Sequence, residues 1–252
     1  MESISVFDII KVGIGPSSSH TMGPWNAAEM FLDEIKRTHH LENVREVFVE
    51  FFGSLAKTGV GHGTDIAAML GLSGENFKTI DTNKINDKIA EIKNSGKIFL
   101  GAEKEIPFVY GVHLVLNMEK SLDFHPNGMI FKAVFDNDEV LERDYYSVGG
   151  GFVATQEENT IKDNCIRTDY PCHKGEDITK YCEKLGIDKV ADLVYINEEA
   201  WRSKEETRAE ALYIWQQIKE CIYKGVSKEG ILPGGLNVTR RAADFNRKLL
   251  GD

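Results

Sequence analysis

The sequence predicts an α+β fold, and three features carry that expectation. Strand-type alternation of apolar and polar residues recurs at 44–52, 129–135 and 140–148, while apolar positions at helical spacing occupy 25–38 and 81–95 among them. From 177 onwards the pattern is almost wholly helical. The expected division is therefore a mixed sheet-and-helix domain at 1–155, a linker at 156–176, and the first helices of an all-α domain at 177–252.

Length and charge bound what such a chain does. Its 252 residues, 42% of them hydrophobic, suffice for one large domain or a domain with an added module. A formal net charge of -10 argues against nucleic acid or an anionic membrane as partner, both of which attract a basic face. No apolar run reaches the ~18 residues of a membrane span, and the N-terminus lacks a basic stretch followed by an apolar one, so a cytoplasmic setting is expected. Cys165, Cys172, Cys182 and Cys221 form no CxxC pair. Neither a zinc ribbon nor a disulfide framework is indicated, and free thiols are expected.

Taken in order, Ser3 to Val12 is a short helix or a strand, and its period does not decide between them. Gly13-Ile14-Gly15-Pro16 interrupts regular structure before Ser17-Ser18-Ser19-His20-Thr21, and a helix follows from about Trp25 to Thr38. The serines thus sit where a loop enters a helix. Orphan backbone N–H groups there favour an anion, and hydroxyls add donors; an ordinary N-cap in a solvated loop accounts for the same residues. Val44 to Phe52 is a strand, and Gly53 to Asp65, rich in glycine around His62, is a loop before a second helix that starts near Ile66. A solvated helix is expected within Asp81–Ser95, and strands at 97–101 and 111–118. Pro126-Asn127-Gly128 reads as a β-hairpin turn, which leaves His125 incidental, and His113 reads as a core or edge histidine. Asp136-Asn137-Asp138 turns between two further strands, Gly149-Gly150-Gly151 breaks the second, and helices follow at 178–185, 190–195 and 203–224.

Four segments tip these open readings. Gly15-Pro16-Ser17-Ser18-Ser19-His20-Thr21-Met22-Gly23-Pro24, His62-Gly63-Thr64-Asp65, Phe124-His125-Pro126-Asn127-Gly128 and Tyr145 to Phe152 resemble segments of the β domain of the iron-sulfur-dependent L-serine dehydratases. The likeness covers nearly all of 1–155, and Ile231 to Arg241 resembles the start of that family's catalytic α domain.

The resemblance implies an L-serine ammonia-lyase that yields pyruvate and ammonia, with L-serine as small-molecule partner and a homo-oligomer, a dimer, as assembly. It implies a β domain folded like the allosteric substrate-binding domains of some phosphoglycerate dehydrogenases. It also implies a 4Fe-4S cluster acting as Lewis acid in the full-length enzyme, with cluster cysteines after Asp252 and none bound by this chain itself. Carried over residue by residue, His62 is the expected base, with His20 and His125 as further catalytic histidines. Ser17, Ser18, Ser19, Thr21, Thr64 and Asn127 are expected to hold the substrate. The alternative is a serine-binding regulatory module or fragment without chemistry of its own; an unrelated phosphate-binding enzyme rests on the serine loop alone.

Overall fold

The computed structural model describes residues 3–156, 166–232 and 237–251. Cys165, the middle of the expected linker, and 233–236 of the segment resembling an α-domain start lie outside them. The described residues fall into two compact units, one of 13–156 and 237 and the other of 3–12, 166–232 and 238–251.

The second of these units is helical. It contains α1 (Val6–Ile9), and later in the chain α6 (Gly175–Leu185), α7 (Val190–Glu198), α8 (Lys204–Ser227) and α9 (Ala242–Leu250). Ser203 starts α8 with a reciprocal cap: its hydroxyl accepts the Glu206 N–H at 3.2 Å, and the Glu206 carboxylate accepts the Ser203 N–H at 2.8 Å. The N-terminal segment joins this unit through Glu198, whose buried carboxylate accepts the Ser5 hydroxyl at 2.8 Å and the Val6 N–H at 2.7 Å.

In the first unit, α2 (Gly23–Thr38) has Pro24 in its first turn, where a missing N–H costs no helical bond. Trp25, Ala28, Phe31, Leu32 and Ile35 fall on its buried face. β1 (Val44–Phe52) follows, then α3 (Gly53–His62), α4 (Thr64–Leu72) and α5 (Ile85–Ser95). All of α4 except Ile66 is buried, as an apolar helix in a core must be. β2 (Lys97–Leu100) and β3 (Lys104–Pro107) make a separate antiparallel pair.

The main sheet has the order β4-β1-β5-β6-β7, adding β4 (Leu114–Asn117), β5 (Gly128–Phe135), β6 (Val140–Gly149) and β7 (Phe152–Ala154). It is mixed: β1 is parallel to β4 and antiparallel to β5, and the remaining pairs are antiparallel. Alternation on β1 and β5 turns Val47, Val49, Phe51, Met129, Phe131, Ala133 and Phe135 into the core, in register as Val49 opposite Phe131 and Phe51 opposite Met129. Arg143, opposite Phe131 on the same face, reaches Glu34 of α2 with two guanidinium nitrogens, at 2.9 and 2.5 Å.

Two expectations are corrected. The glycine-rich stretch before His62 is helix α3, not a loop: Gly53, Leu55, Ala56 and Gly59 are buried, and that close packing offsets the ~1 kcal/mol each interior glycine costs a helix. Pro126-Asn127-Gly128 does not close a hairpin, because β4 and β5 lie on opposite sides of β1.

Candidate functional site

The serine loop becomes helical one turn before α2. Residues Ser18–Met22 form a π-type turn that runs directly into it, with Ser17 extended as N-cap and its hydroxyl accepting the His20 N–H at 3.2 Å. The Ser18 and Ser19 N–H groups precede the first closed bonds and have no partner among the described residues. Ser18 is exposed, and its hydroxyl makes no hydrogen bond among the described residues. Donors are therefore free at the mouth of the turn, where the helix dipole favours an anion.

From there a hydrogen-bonded chain leads inward. Ser17 Oγ lies 3.3 Å from Ser19 Oγ, Ser19 Oγ lies 2.9 Å from His20 Nδ1, and His20 Nε2 lies 3.0 Å from Ser54 Oγ. Burial and the neighbouring His62 hold His20 below its ordinary value near 6.5, against the bond from Ser54, which raises it. His20 is thus neutral near pH 7, one ring nitrogen donating and the other accepting.

His62 is the last residue of α3, and Gly63 after it takes a left-handed conformation (φ 69°) that ends one helix and starts the next within a single residue. That sharp junction brings the ring beside His20, with centroids 5.0 Å apart. His62 Nδ1 lies 2.8 Å from the Thr58 carbonyl. A carbonyl only accepts, so Nδ1 carries the proton and the neutral ring keeps its lone pair on Nε2. Nε2 has no hydrogen-bond partner among the described residues, and the side chain is half-buried.

His125 has the opposite tautomer. The Asn127 N–H donates to its Nδ1 at 3.1 Å, so in the neutral ring the hydrogen sits on Nε2 and is available for donation. Its segment is tied to the same place: Ser54, whose hydroxyl meets His20, donates its N–H to the Pro126 carbonyl at 2.9 Å. Asn127 is fixed by its side-chain Nδ2, which donates to the Ser147 carbonyl at 3.1 Å, and by its own carbonyl, which accepts the Ser147 N–H at 3.0 Å.

Thr21 and Thr64 sit differently from the other candidates. They are 4% and 0% exposed, and both hydroxyl hydrogens are spent on backbone carbonyls, of His62 at 2.8 Å and His20 at 2.6 Å respectively. Asp65, also buried, holds the first turn of α4 to its surroundings, its carboxylate 3.2 Å from Lys93 Nζ and 3.0 Å from the Tyr110 hydroxyl. Burial, reinforced by Asp65, pushes the Tyr110 phenol well up, so it remains a donor. Ser54 is the member that sequence reasoning missed. Among the described residues no group of three or more His, Cys, Asp and Glu side chains is arranged to hold a metal ion, and Cys172, Cys182 and Cys221 are free thiols.

Residues 5–158, well over half of the chain, match the profile of the serine dehydratase beta chain family. The chain belongs to that family. It is 42% identical over 252 aligned residues to the L-serine dehydratase of Streptomyces coelicolor, an alignment covering 98% of this chain and 55% of that protein. It is 38% identical over 249 residues to L-serine dehydratase 2 of Escherichia coli (98% and 54%), and 38% over 243 residues to the L-serine dehydratase of Mycobacterium tuberculosis (95% and 52%). The chain thus spans about half the length of the curated relatives it matches. Every candidate residue of the site, from Ser17 to Asn127, lies inside the stretch that matches this beta-chain family.

Proposed function

We propose that this chain is the substrate-binding and proton-abstracting part of an L-serine dehydratase, a lyase that converts L-serine to pyruvate and ammonia. The observation that carries the reading is His62: its Nδ1–H is committed to the Thr58 carbonyl, which leaves Nε2 as an open base 5.0 Å, ring to ring, from a second imidazole kept neutral. A neutral imidazole has a proton affinity suited to general-base work near pH 7, worth about 10²–10⁴-fold in rate.

The substrate carboxylate binds the Ser18 and Ser19 N–H groups and the Ser17 to Ser19 hydroxyls at the start of the π-type turn. His62 Nε2 takes the Cα proton, and the electron pair left behind expels hydroxide from Cβ. The aminoacrylate so formed shifts to its imine and hydrolyses to pyruvate and ammonia. His125, with Nε2–H to give, serves as donor to the substrate, and Asn127 fixes the turn that presents it. His20 orients the serine hydroxyls on one side and Ser54 on the other.

The same reading includes a homodimer, a cytoplasmic setting, and a sheet domain of the type found in the allosteric substrate-binding domains of phosphoglycerate dehydrogenases. The mixed five-stranded sheet supports the last of these, and no helix among the described residues is long and apolar enough to cross a membrane. A 4Fe-4S cluster belongs to the reading through its family resemblance. The described residues do not fit such a group, since it needs several thiolates held together. What this chain's own residues do is bind, orient and deprotonate.

Anaerobic assay of the complete native enzyme tests the reading. Pyruvate forming from L-serine, with Ser18→Ala mainly raising KM by the equivalent of ~1.5–3 kcal/mol, is the expected result. Serine binding without any pyruvate would overturn it in favour of a regulatory module.

A further inference from the structure

Thr21 follows His20 in sequence, yet its hydroxyl donates to the carbonyl of His62; Thr64 lies two residues beyond His62, yet its hydroxyl donates to the carbonyl of His20. The two bonds, 2.8 and 2.6 Å long, run in opposite directions between the π-type turn and the α3–α4 junction. Both threonines are buried and tightly seated. A Cβ built on Gly15 would come within 2.6 Å of Thr21 Oγ1, and one on Gly59 within 3.0 Å of Thr64 Oγ1. Each threonine thus sits close against a glycine, and a β-branched side chain has few rotamers to choose from.

From this geometry we infer that Thr21 and Thr64 form a crossed brace that sets the spacing of the two imidazoles, and that they are positioning residues, not ligands of the substrate. Each histidine carbonyl is held by a threonine one or two residues from the other histidine, so the rings meet at 5.0 Å only while both bonds hold. Asp65, one residue beyond Thr64, secures the far side of the junction through Lys93 and Tyr110. Thr64 and Asp65, the two residues after the left-handed Gly63, therefore hold the α3–α4 junction in two directions, one towards His20 and the other towards α5.

The inference rests on the reading of His62 as base for its kinetic arm only. The first measurement needs no substrate: the titration of His20 in the full chain, followed by the NMR of its ring, with and without His62→Gln. In the unaltered chain, removing the His62 imidazole should move the His20 midpoint upward, because His62 is one of the two influences that hold it down. In Thr64→Val, nearly equal in volume but lacking the hydroxyl, the same His62→Gln change should move it much less, and Thr64→Ser should restore the full response. Thr21→Val tests the brace from its other end and decides the matter if Thr64→Val does not fold. The second measurement is turnover of the complete enzyme: either valine variant should lose about 10- to 100-fold in kcat, the scale of a 1 Å misplacement, with KM within about twofold. An unchanged response of His20 to His62→Gln in a folded valine variant would overturn the brace whatever the enzyme's substrate proves to be. A raised KM at unchanged kcat would overturn it in favour of direct substrate contact.

Discussion

The two units of this chain are held together by different means. Nearly all of the buried apolar residues described belong to the sheet unit, where Trp25, Phe31, Leu55, Met69 and Leu70 of α2, α3 and α4 share one core with the strands, at or below 2% exposure. Among the described residues of the helical unit only Leu193 and Ala243 are buried hydrophobic residues, and Thr207 is the one buried residue described in α8. Leu212, Trp215, Ile218 and Ile222 of that helix are exposed, at the three- and four-residue spacing of a single stripe. The Ser203–Glu206 cap starts that helix, and just before it the Glu198 carboxylate ties Ser5, Val6 and Arg202 together. The site lies wholly in the unit with the core. A hydrogen-bonded group that must hold imidazoles to a fraction of an ångström needs a scaffold that does not open locally.

The contrast is open to several tests, beginning with the largest expected effect. Phe131→Ala, at the middle of the sheet and in contact with Phe31 at 5.6 Å between ring centroids, should cost the sheet unit ~3–5 kcal/mol, measured as lost hydrogen-exchange protection in β1 and β5. Glu198→Gln should cost the helical unit ~1–3 kcal/mol, because a buried acceptor of several donors is weakened, and the loss should appear in α1 and α7 and not in the sheet. The pH dependence of the sheet unit follows from His20. Its folded value lies below the ordinary 6.5, so the unfolded chain binds more protons in that window and stability falls as pH drops through and below about 6.5. His20→Gln should flatten that slope in a urea titration series. Leu212→Ala, on the exposed stripe of α8, should change stability by no more than about 0.5 kcal/mol. A large loss there would show that α8 is buried in solution.

Much of the sheet unit was legible because burial leaves a period. The alternation of Val47, Val49 and Phe51, and of Phe131, Ala133 and Phe135, is a local property of the sequence and reads directly as two core-facing strands. Helix α3 was not legible, since Gly53, Gly59, Gly61 and Gly63 argue for a loop and only tertiary packing against β1 and β4 reverses that. The order β4-β1-β5 was hidden for a related reason: the pairing partners are distant in sequence, while the turn residues before β5 carry an Asn-Gly signal. In the site, the motifs named residues from distant segments that the structure brings together, but not the bonds between them. The bonds that assign Thr21, Thr64 and Ser54 join residues 41, 44 and 34 positions apart, so no reading of spacing finds them. The opposite tautomers of His62 and His125 follow from one backbone carbonyl and one backbone N–H, which the sequence holds but does not display.

The first 12 residues make the same point about boundaries. A division at 155 treats them as the lead-in to the serine loop, whereas residues 3–12 cluster with the later helices through Ser5, Val6 and Glu198, and through Ser3, whose Oγ is 3.0 Å from Thr168 Oγ1. Nothing in the local pattern of Ser3 to Val12 signals a partner nearly two hundred residues away.

The account turns on His62 Nε2 as the base, and anaerobic steady-state kinetics of His62→Ala in the complete enzyme with L-serine test it most directly. The account predicts a fall in kcat of about 10²–10⁴-fold with serine binding largely kept, since a half-buried ring at a helix end contributes proton transfer and little to the fold. Near-normal turnover by a correctly folded His62→Ala enzyme would contradict it.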